Sequence, residues 1–354
     1  MLAQVSPRTA LLAVVKADAY GHGAVGCALA LQHKVWGFGV SLVEEGIELR
    51  RGGVTAPVVV LGSFFGLGHR DVVAYRLTPV VSDVDDIERF GRALGDLGEE
   101  RFSIHLKIDT GMSRLGVQPS EVGELLMAVG QQAGIEVSGV CTHLAEADTG
   151  QEATTRHQLQ RFVQALTTIA QAGSSQLVVH VANSAAIRRF SDTHRDLVRP
   201  GLALYGISPS ALAPYPGLRP VLSWRTRIVA LRTVADGVGV SYGGTFVASG
   251  PTRIATIPIG YADGYSRRMS GKAEVLCRGV RCKVVGTITM DMAMVDVTNL
   301  PGVEVGDEVT LIGQQGEQRI TATDLAGWAD TIPWEVICAI SKRVPRVYIG
   351  EAQR

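Results

Sequence analysis

From residue 11 to about residue 206, short apolar runs alternate with longer segments of mixed polarity. This is the pattern of parallel strands, buried on both faces, separated by amphipathic helices. The runs are LLAVVK ending at Lys16, WGFGVS from Trp36, PVVVLG from Pro57, LTPVVS from Leu77, FSIHLKID from Phe102, IEVSGVCTH from Ile135, QLVVHVAN from Gln176 and DLVRPGLALYG from Asp196. Eight such strands with helical connections predict an α/β domain, a (β/α)8 barrel.

The texture then changes. SPSALAPYPGLRP, from Ser208, is rich in Pro and Ser and reads as a linker. Beyond it, short β-rich segments such as LSWRTRIVALRTV, TRIATIPIGYAD and DEVTLIG are divided by Gly and Asp turns. The expected organisation is a barrel domain over residues 1–217 and a mainly β domain over 218–354.

Composition narrows the function classes. The 354 residues carry 34 basic and 34 acidic side chains, with no run of Lys and Arg that would favour nucleic acid or an anionic membrane. Five cysteines, without a C-x-x-C pair, suggest neither a zinc site nor a disulfide framework. The apolar start, MLAQVSPRTALLAVV, lacks a basic leader and is too short for a span, so a cytoplasmic protein is expected, with no metal.

Chemistry gathers at the strand ends. In VVKADAYGHG, Lys16 closes an apolar strand ahead of a glycine-containing loop, which places its amine at the C-terminal mouth where barrel enzymes work. KIDTGMSRLG puts Lys107 within a strand and Arg114 in the following loop, an arrangement that taken alone reads sooner as an ordinary salt-bridge cluster with Asp109. CTHLAEAD ends the sixth strand with His143. ANSAA and RPGLALYG fall where such barrels assemble phosphate sites: Ser184 offers a hydroxyl, and Gly201 lets backbone N–H groups approach an anion. A lysine able to form a Schiff base beside a phosphate cradle favours pyridoxal phosphate over a free sugar phosphate.

These motifs, with VSYGGTF, IPIGYADGYSRR and GTITMDMAMVDV, resemble alanine racemases in order and spacing, from Lys16 nearly to the C-terminus. The resemblance implies a pyridoxal 5'-phosphate enzyme that interconverts L- and D-alanine by two-base proton transfer and supplies D-alanine for peptidoglycan. Lys16 would hold the cofactor and act as one base; Tyr242 would be the other. Tyr20, Ser184, Gly201 and Leu202 would hold the phosphate, with Trp334 beside them. Arg199 would face the pyridine nitrogen and, able only to donate, keep it unprotonated. A phenol needs help to ionise near neutrality, which His143, bonded to Arg199, would give. Arg114 and the backbone of Met290 would meet the substrate carboxylate, and Lys107 matches a lysine that is often carbamylated to orient Arg114. Tyr261 and Arg267 would line the entrance. Because Tyr242 and Lys16 lie in different domains, the resemblance implies a head-to-tail homodimer, each site borrowing Tyr242, Met290 and Asp291 from its neighbour.

Two departures qualify the match. Only fifteen residues precede Lys16, where relatives carry a further strand and helix. The barrel is therefore expected to lack the helix over the junction of its last and first strands, leaving that junction exposed or covered by another segment, at reduced stability. Trp334 also stands where the family motif usually has tyrosine; its indole donates but cannot accept a hydrogen bond. That keeps a broad or serine-preferring racemase in view. A decarboxylase of the same architecture is disfavoured by Arg199, since an acidic partner at the ring nitrogen would suit that reaction better. A non-catalytic carrier would not need VSYGGTF.

Overall fold

The computed structural model describes residues 5–64, 66–173, 176–212 and 214–350. The chain divides into two units: residues up to Ala19 with Gly23–Arg219, and Tyr20–His22 with the residues from Pro220.

In the first unit, eight parallel strands close a ring in chain order: β1 (Ala10–Val14), β2 (Gly37–Val40), β3 (Val58–Val60), β4 (Thr78–Val81), β5 (Phe102–Lys107), β6 (Ile135–Cys141), β7 (Val178–Asn183) and β8 (Leu197–Arg199). The segments after the strands carry helices α1 (Lys16–Gly21), α2 (Ala24–Leu31), α3 (Val43–Arg51), α4 (His69–Ala74), α5 (Val84–Leu97), α6 (Val122–Gln131), α7 (Glu152–Gln171) and α8 (Ser184–Arg189). All eight apolar runs contribute a strand. Leu12, Val59, Val80, Cys141 and Leu197 fill the interior, while outward residues such as Leu11, Ala13 and Val198 are also buried. Burial on both faces explains why the runs are continuously apolar rather than alternating.

Several strands end earlier than their apolar runs. Lys16 and His143 each lie two residues past the ladder, and the run from Asp196 leaves β8 at Arg199 and becomes a 3₁₀ turn, Leu202–Tyr205. The chemistry therefore sits on mouth loops, anchored by the strands just behind them.

Of the two outcomes expected at the last-to-first junction, exposure or cover by another segment, the structure shows the second. β1 and β8 pair directly, Ala10 with Leu197 and Leu11 with Val198. The outward side chains of this seam are buried, and Tyr205 donates its hydroxyl to the Val14 carbonyl at 2.8 Å. A 3₁₀ turn thus braces the seam, and the eight strands close the ring.

The second unit is mainly antiparallel sheet. Its strands are β9 (Trp224–Arg227), β10 (Ala230–Val234), β11 (Gly239–Val240), β12 (Phe246–Val247), β13 (Thr252–Ile257), β14 (Glu274–Cys277), β15 (Val280–Val285), β16 (Ala293–Asp296), β17 (Glu308–Gln315) and β18 (Gln318–Ile320). The main sheet runs β10-β13-β16-β15-β14-β17-β18, with β9 on β17, while β11 and β12 form a separate hairpin. Two helices not foreseen from the sequence close the unit: α9 (Ala322–Ala329) and α10 (Pro333–Ala339). Their starts are legible in retrospect. Thr321 and Asp324 form a reciprocal capping box, and Pro333 opens α10. Among the described residues, no helix is long and apolar enough to cross a membrane.

Candidate active site

Lys16 emerges from β1 into a backbone of unusual hand. Ala17, Asp18, Ala19 and Tyr20 have φ of 52, 53, 54 and 53°, so α1 is a left-handed turn built without glycine in those four positions. Left-handed helix disfavours an L-residue by roughly 1–2 kcal/mol, so the four together store about 4–8 kcal/mol. Surrounding bonds must hold it. Ala19 donates to the Val15 carbonyl at 2.8 Å, and Asp18 Oδ1 accepts the Ala24 N–H at 2.8 Å, tying the exit of the turn to the start of α2.

Arg199, the last residue of β8, points into the barrel and is buried. Its Nη1 donates to His180 Nδ1 and to the His180 carbonyl at 3.0 and 2.7 Å. Its Nη2 donates to the carbonyls of Thr142 and Val181 and to His143 Nδ1 at 2.7, 3.0 and 3.2 Å. Nε is the donor outside these five bonds. Since a guanidinium only donates, both histidines accept on Nδ1, and each neutral ring carries its proton on Nε2. His180 Nε2 then donates to His105 Nδ1 at 2.9 Å. Room for the His105 ring comes from Gly139 on β6, where a Cβ would lie 2.6 Å from His105 Nε2.

This polar column is held neutral apart from its arginine. Burial pushes His105 down to about 4. Burial, reinforced by the Arg199 cation, holds His180 and His143 well below the ordinary imidazole range. His143 also feels the cations of Lys107, Arg114 and Lys16.

Lys107, Asp109, Arg114 and His143 line one small cleft together with Met112 and Leu115. Burial brings the Lys107 amine down to about 8, with Arg199 and Arg114 adding to the effect. Asp109 is ionised more readily than usual: burial opposes this, but the N–H groups of Gly111, Ser113 and Met112 and the Gln118 amide outweigh it. Asp109 therefore organises the loop that presents Arg114, accepting from Gly111, Met112 and Ser113 at 2.9, 3.0 and 3.1 Å.

Across the mouth, the Ser184 hydroxyl accepts the Gly201 N–H at 2.9 Å and the Ala203 N–H at 3.3 Å. Its own proton remains to be donated. Leu202 opens a 3₁₀ turn, whose first N–H groups have no acceptor within the turn. The Ser184 hydroxyl proton and the Leu202 N–H are thus the donors that could meet an anion here. Tyr215, inside the segment read as a linker, is buried, and its hydroxyl donates to the Ser184 carbonyl. Composition alone hid this supporting residue.

In the second unit, Tyr242 sits on the turn joining β11 and β12 and is 73% exposed. The preceding Ser241 has φ 64° and ψ −174°, a region nearly reserved for glycine. Its hydroxyl donates to the Thr287 carbonyl at 2.6 Å, and Thr287 returns a bond to the Tyr242 carbonyl at 2.9 Å. Met290 and Tyr261 are 52% and 44% exposed. Asp291 accepts from Arg343 Nη2 at 2.9 Å, while Arg343 Nε meets Asp263 at 3.1 Å. Arg343, not singled out from the sequence, thus fastens the GYAD and TMDM motifs together. Tyr261 and Arg267 line a common cavity of about 280 Å³. Trp334 is half-buried on α10, and Tyr20 is buried.

The barrel mouth combines a strand-end lysine, anion donors and a buried arginine in a chain that continues into a β unit, and the comparisons with known proteins place such a chain among the pyridoxal-phosphate-dependent isomerases. Residues 1–209 match the alanine racemase N-terminal domain, and residues 221–348 match the alanine racemase C-terminal domain. The chain is 45% identical to the alanine racemase of Symbiobacterium thermophilum, over 99% of this chain and 93% of that protein. It is 42% identical to that of Halothermothrix orenii, over 96% and 89%. The alanine racemase structure from Clostridium difficile superposes with a TM-score of 0.93 at 36% identity, over 99% of this chain and 91% of that one. That from Bartonella henselae, which holds covalently bound pyridoxal phosphate, gives 0.85 at 32%, over 98% and 94%. The chain belongs to the alanine racemase family.

Proposed function

We propose that this protein interconverts L- and D-alanine by passing protons between two bases, Lys16 and Tyr242, placed on opposite faces of the reacting Cα. The observation that carries the reading is the convergence, at one barrel mouth, of Lys16, the Arg199–His143 pair and the Ser184 and Leu202 donors. The donor set fits pyridoxal phosphate: the Ser184 hydroxyl and the Leu202 N–H would meet a phosphate, and Arg199 keeps Nε–H for a ring nitrogen. When bound, that cofactor draws electrons from the substrate Cα and so acidifies its proton.

The chain's own residues do the rest. Ser184, Gly201, Leu202, Tyr20 and Trp334 would anchor the cofactor, and Lys16 would hold it covalently. Arg199 donates and cannot give up its proton, so it tempers the electron withdrawal and suppresses side reactions that need a stronger sink. His143, with its proton fixed on Nε2, donates to the Tyr242 oxygen and favours the phenolate as base. Arg114 and the Met290 N–H grip the substrate carboxylate, and a carbamate on Lys107 orients Arg114.

Tyr242 comes from a second copy in a head-to-tail dimer, which also supplies Met290 and Asp291. In support, Tyr242, Met290 and Tyr261 are large side chains left exposed on a rigidly braced surface of the second unit, as an interface requires. We place the protein in the cytoplasm, supplying D-alanine for peptidoglycan.

The test follows the optical rotation of L-alanine incubated with the holoenzyme and with Lys16→Ala. Rotation decays to zero with the native protein only; no decay rejects the function, and equal decay in the variant rejects the lysine. Turnover of lysine as fast as alanine would replace this reading with a broad racemase.

A further inference from the structure

The left-handed turn after Lys16 begins with an N–H that the turn itself cannot satisfy, just as the first N–H groups of any helix lack an internal acceptor. A carboxylate from the neighbouring βα segment satisfies it. Glu45 Oε1 accepts the Ala17 N–H at 2.6 Å. The other oxygen, Oε2, accepts the N–H groups of Ser41 and Leu42 at 2.7 and 3.0 Å. One side chain therefore caps two turns of opposite hand, α3 with one oxygen and the Lys16 turn with the other.

The post from which Glu45 reaches is itself fixed. Glu45 lies in the first turn of α3, whose Val43 and Leu49 are buried. A Cβ on Gly62 would fall 2.2 Å from the Ser41 carbonyl, so the β3 loop packs directly against the other side of the Ser41–Leu42 segment. The Lys16 turn is strained by chirality and would relax if its first N–H were released. Held by a charged acceptor, it stays.

We infer that Glu45 is a positioning residue for Lys16: its carboxylate straps the left-handed turn to the start of α3 and so fixes the direction in which the Lys16 amine leaves β1. This rests on the reading of Lys16 as the cofactor lysine. The carboxylate does not touch the reacting atoms.

A cap that merely stabilised α3 would lower the melting temperature and do nothing else. Glu45→Gln separates the cases, since an amide has one acceptor oxygen and cannot serve both turns. Leu49→Ala is the control: it weakens α3 from its buried face without touching Ala17. In the cofactor-free chain, the Ala17 amide should exchange its hydrogen at least about ten times faster in Glu45→Gln than in the native protein, the scale of one charge-assisted hydrogen bond. On titration with pyridoxal phosphate, the borohydride-reducible attachment should need about ten-fold more cofactor. In the holoenzyme, kcat should fall while KM for alanine holds. Leu49→Ala should show none of these at an equal or larger loss of melting temperature.

The inference is overturned if Leu49→Ala reproduces the changes, or if Glu45→Gln matches the native protein in exchange and attachment. Should Glu45→Gln fail to fold, the native chain decides alone: an Ala17 amide exchanging as fast as in an unstructured peptide refutes the strap. Failure of the underlying reading looks different, because Lys16→Ala would then still attach the cofactor covalently.

Discussion

Arg199 and His143 share one hydrogen bond, from Nη2–H to Nδ1 at 3.2 Å, and its direction cannot be reversed. The guanidinium has no lone pair to offer, so the imidazole accepts there and presents Nε2–H on its opposite edge. A residue on β8 thereby sets the protonation of a loop residue beyond β6. The same arginine does likewise for His180, and through it for His105.

Replacing Arg199 by lysine tests this arrangement. An ammonium has three donors and no fork, so at least two of the five acceptors now bonded would be left unserved. Each buried orphan costs on the order of 1–3 kcal/mol, so Arg199→Lys should lose about 3 kcal/mol of unfolding free energy in urea. Racemisation should also fall by at least about 100-fold, since the tautomer of His143 is no longer imposed. A variant as stable and as active as the native protein would show that the column is incidental.

The buried histidines predict acid lability of defined sign. In the unfolded chain a histidine titrates near its ordinary value of 6.5, but burial takes His105 to about 4. The unfolded state then binds more protons between these values, so the contribution of His105 is fully present above about pH 6.5 and is lost as pH falls towards 4. A shift of this size is worth about 3 kcal/mol in total, and His180, also lowered, steepens the fall. His105→Phe breaks the bond to His180 but removes one titrating group. Its stability, measured by urea unfolding at several pH values, should therefore depend less on pH over this window than that of the native protein. An unchanged slope would remove His105 from the account.

What the sequence discloses and what it conceals divide along physical lines. The strands were legible because parallel strands buried on both faces leave uninterrupted apolar runs, and the mouth residues were legible because they follow those runs directly. The left-handed turn was not: ADAY reads as an ordinary loop, and the carboxylate that caps the turn, Glu45, lies 28 residues away in α3. His105 and His180 sit inside apolar strands, where a single histidine gives no sign of a partner across the barrel. Gly139, whose missing side chain admits the His105 ring, is unremarkable in sequence. Tyr215 was masked by the prolines around it, and Arg343 lies outside every recognised motif.

The proposed sharing of sites between copies makes a mixing experiment decisive. Lys16→Ala and Tyr242→Phe homodimers should each be nearly inactive. In a mixed dimer, one site combines both defects and the other combines native Lys16 with native Tyr242. Random exchange of subunits makes half of the dimers mixed, so activity should return to about a quarter of the native level. Recovery near zero, with mixed dimers shown by mass to be present, would mean that both bases come from one chain.

Lys107 connects the charge of the cleft to its chemistry. Burial, aided by Arg199 and Arg114, brings its amine to about 8, so at neutral pH roughly a tenth of it carries a free electron pair. That form can attack carbon dioxide; the new N–C bond gives a carbamate and releases one proton. The cleft gains an anion beside Arg114 in exchange for a cation that was poorly tolerated there. Modification should rise as pH increases from about 7 to about 9, because the amine is more often neutral, and a peptide carrying Lys107 should gain the mass of one carbon dioxide under bicarbonate. Lys107→Gln cannot form the anion. Its KM for alanine should rise by about ten-fold, with kcat within a few-fold of native, because Arg114 holds the carboxylate less well before and during the reaction alike. If initial rates of the native enzyme, stripped of carbon dioxide and then resupplied, show no change in KM, the amine itself rather than its carbamate orients Arg114.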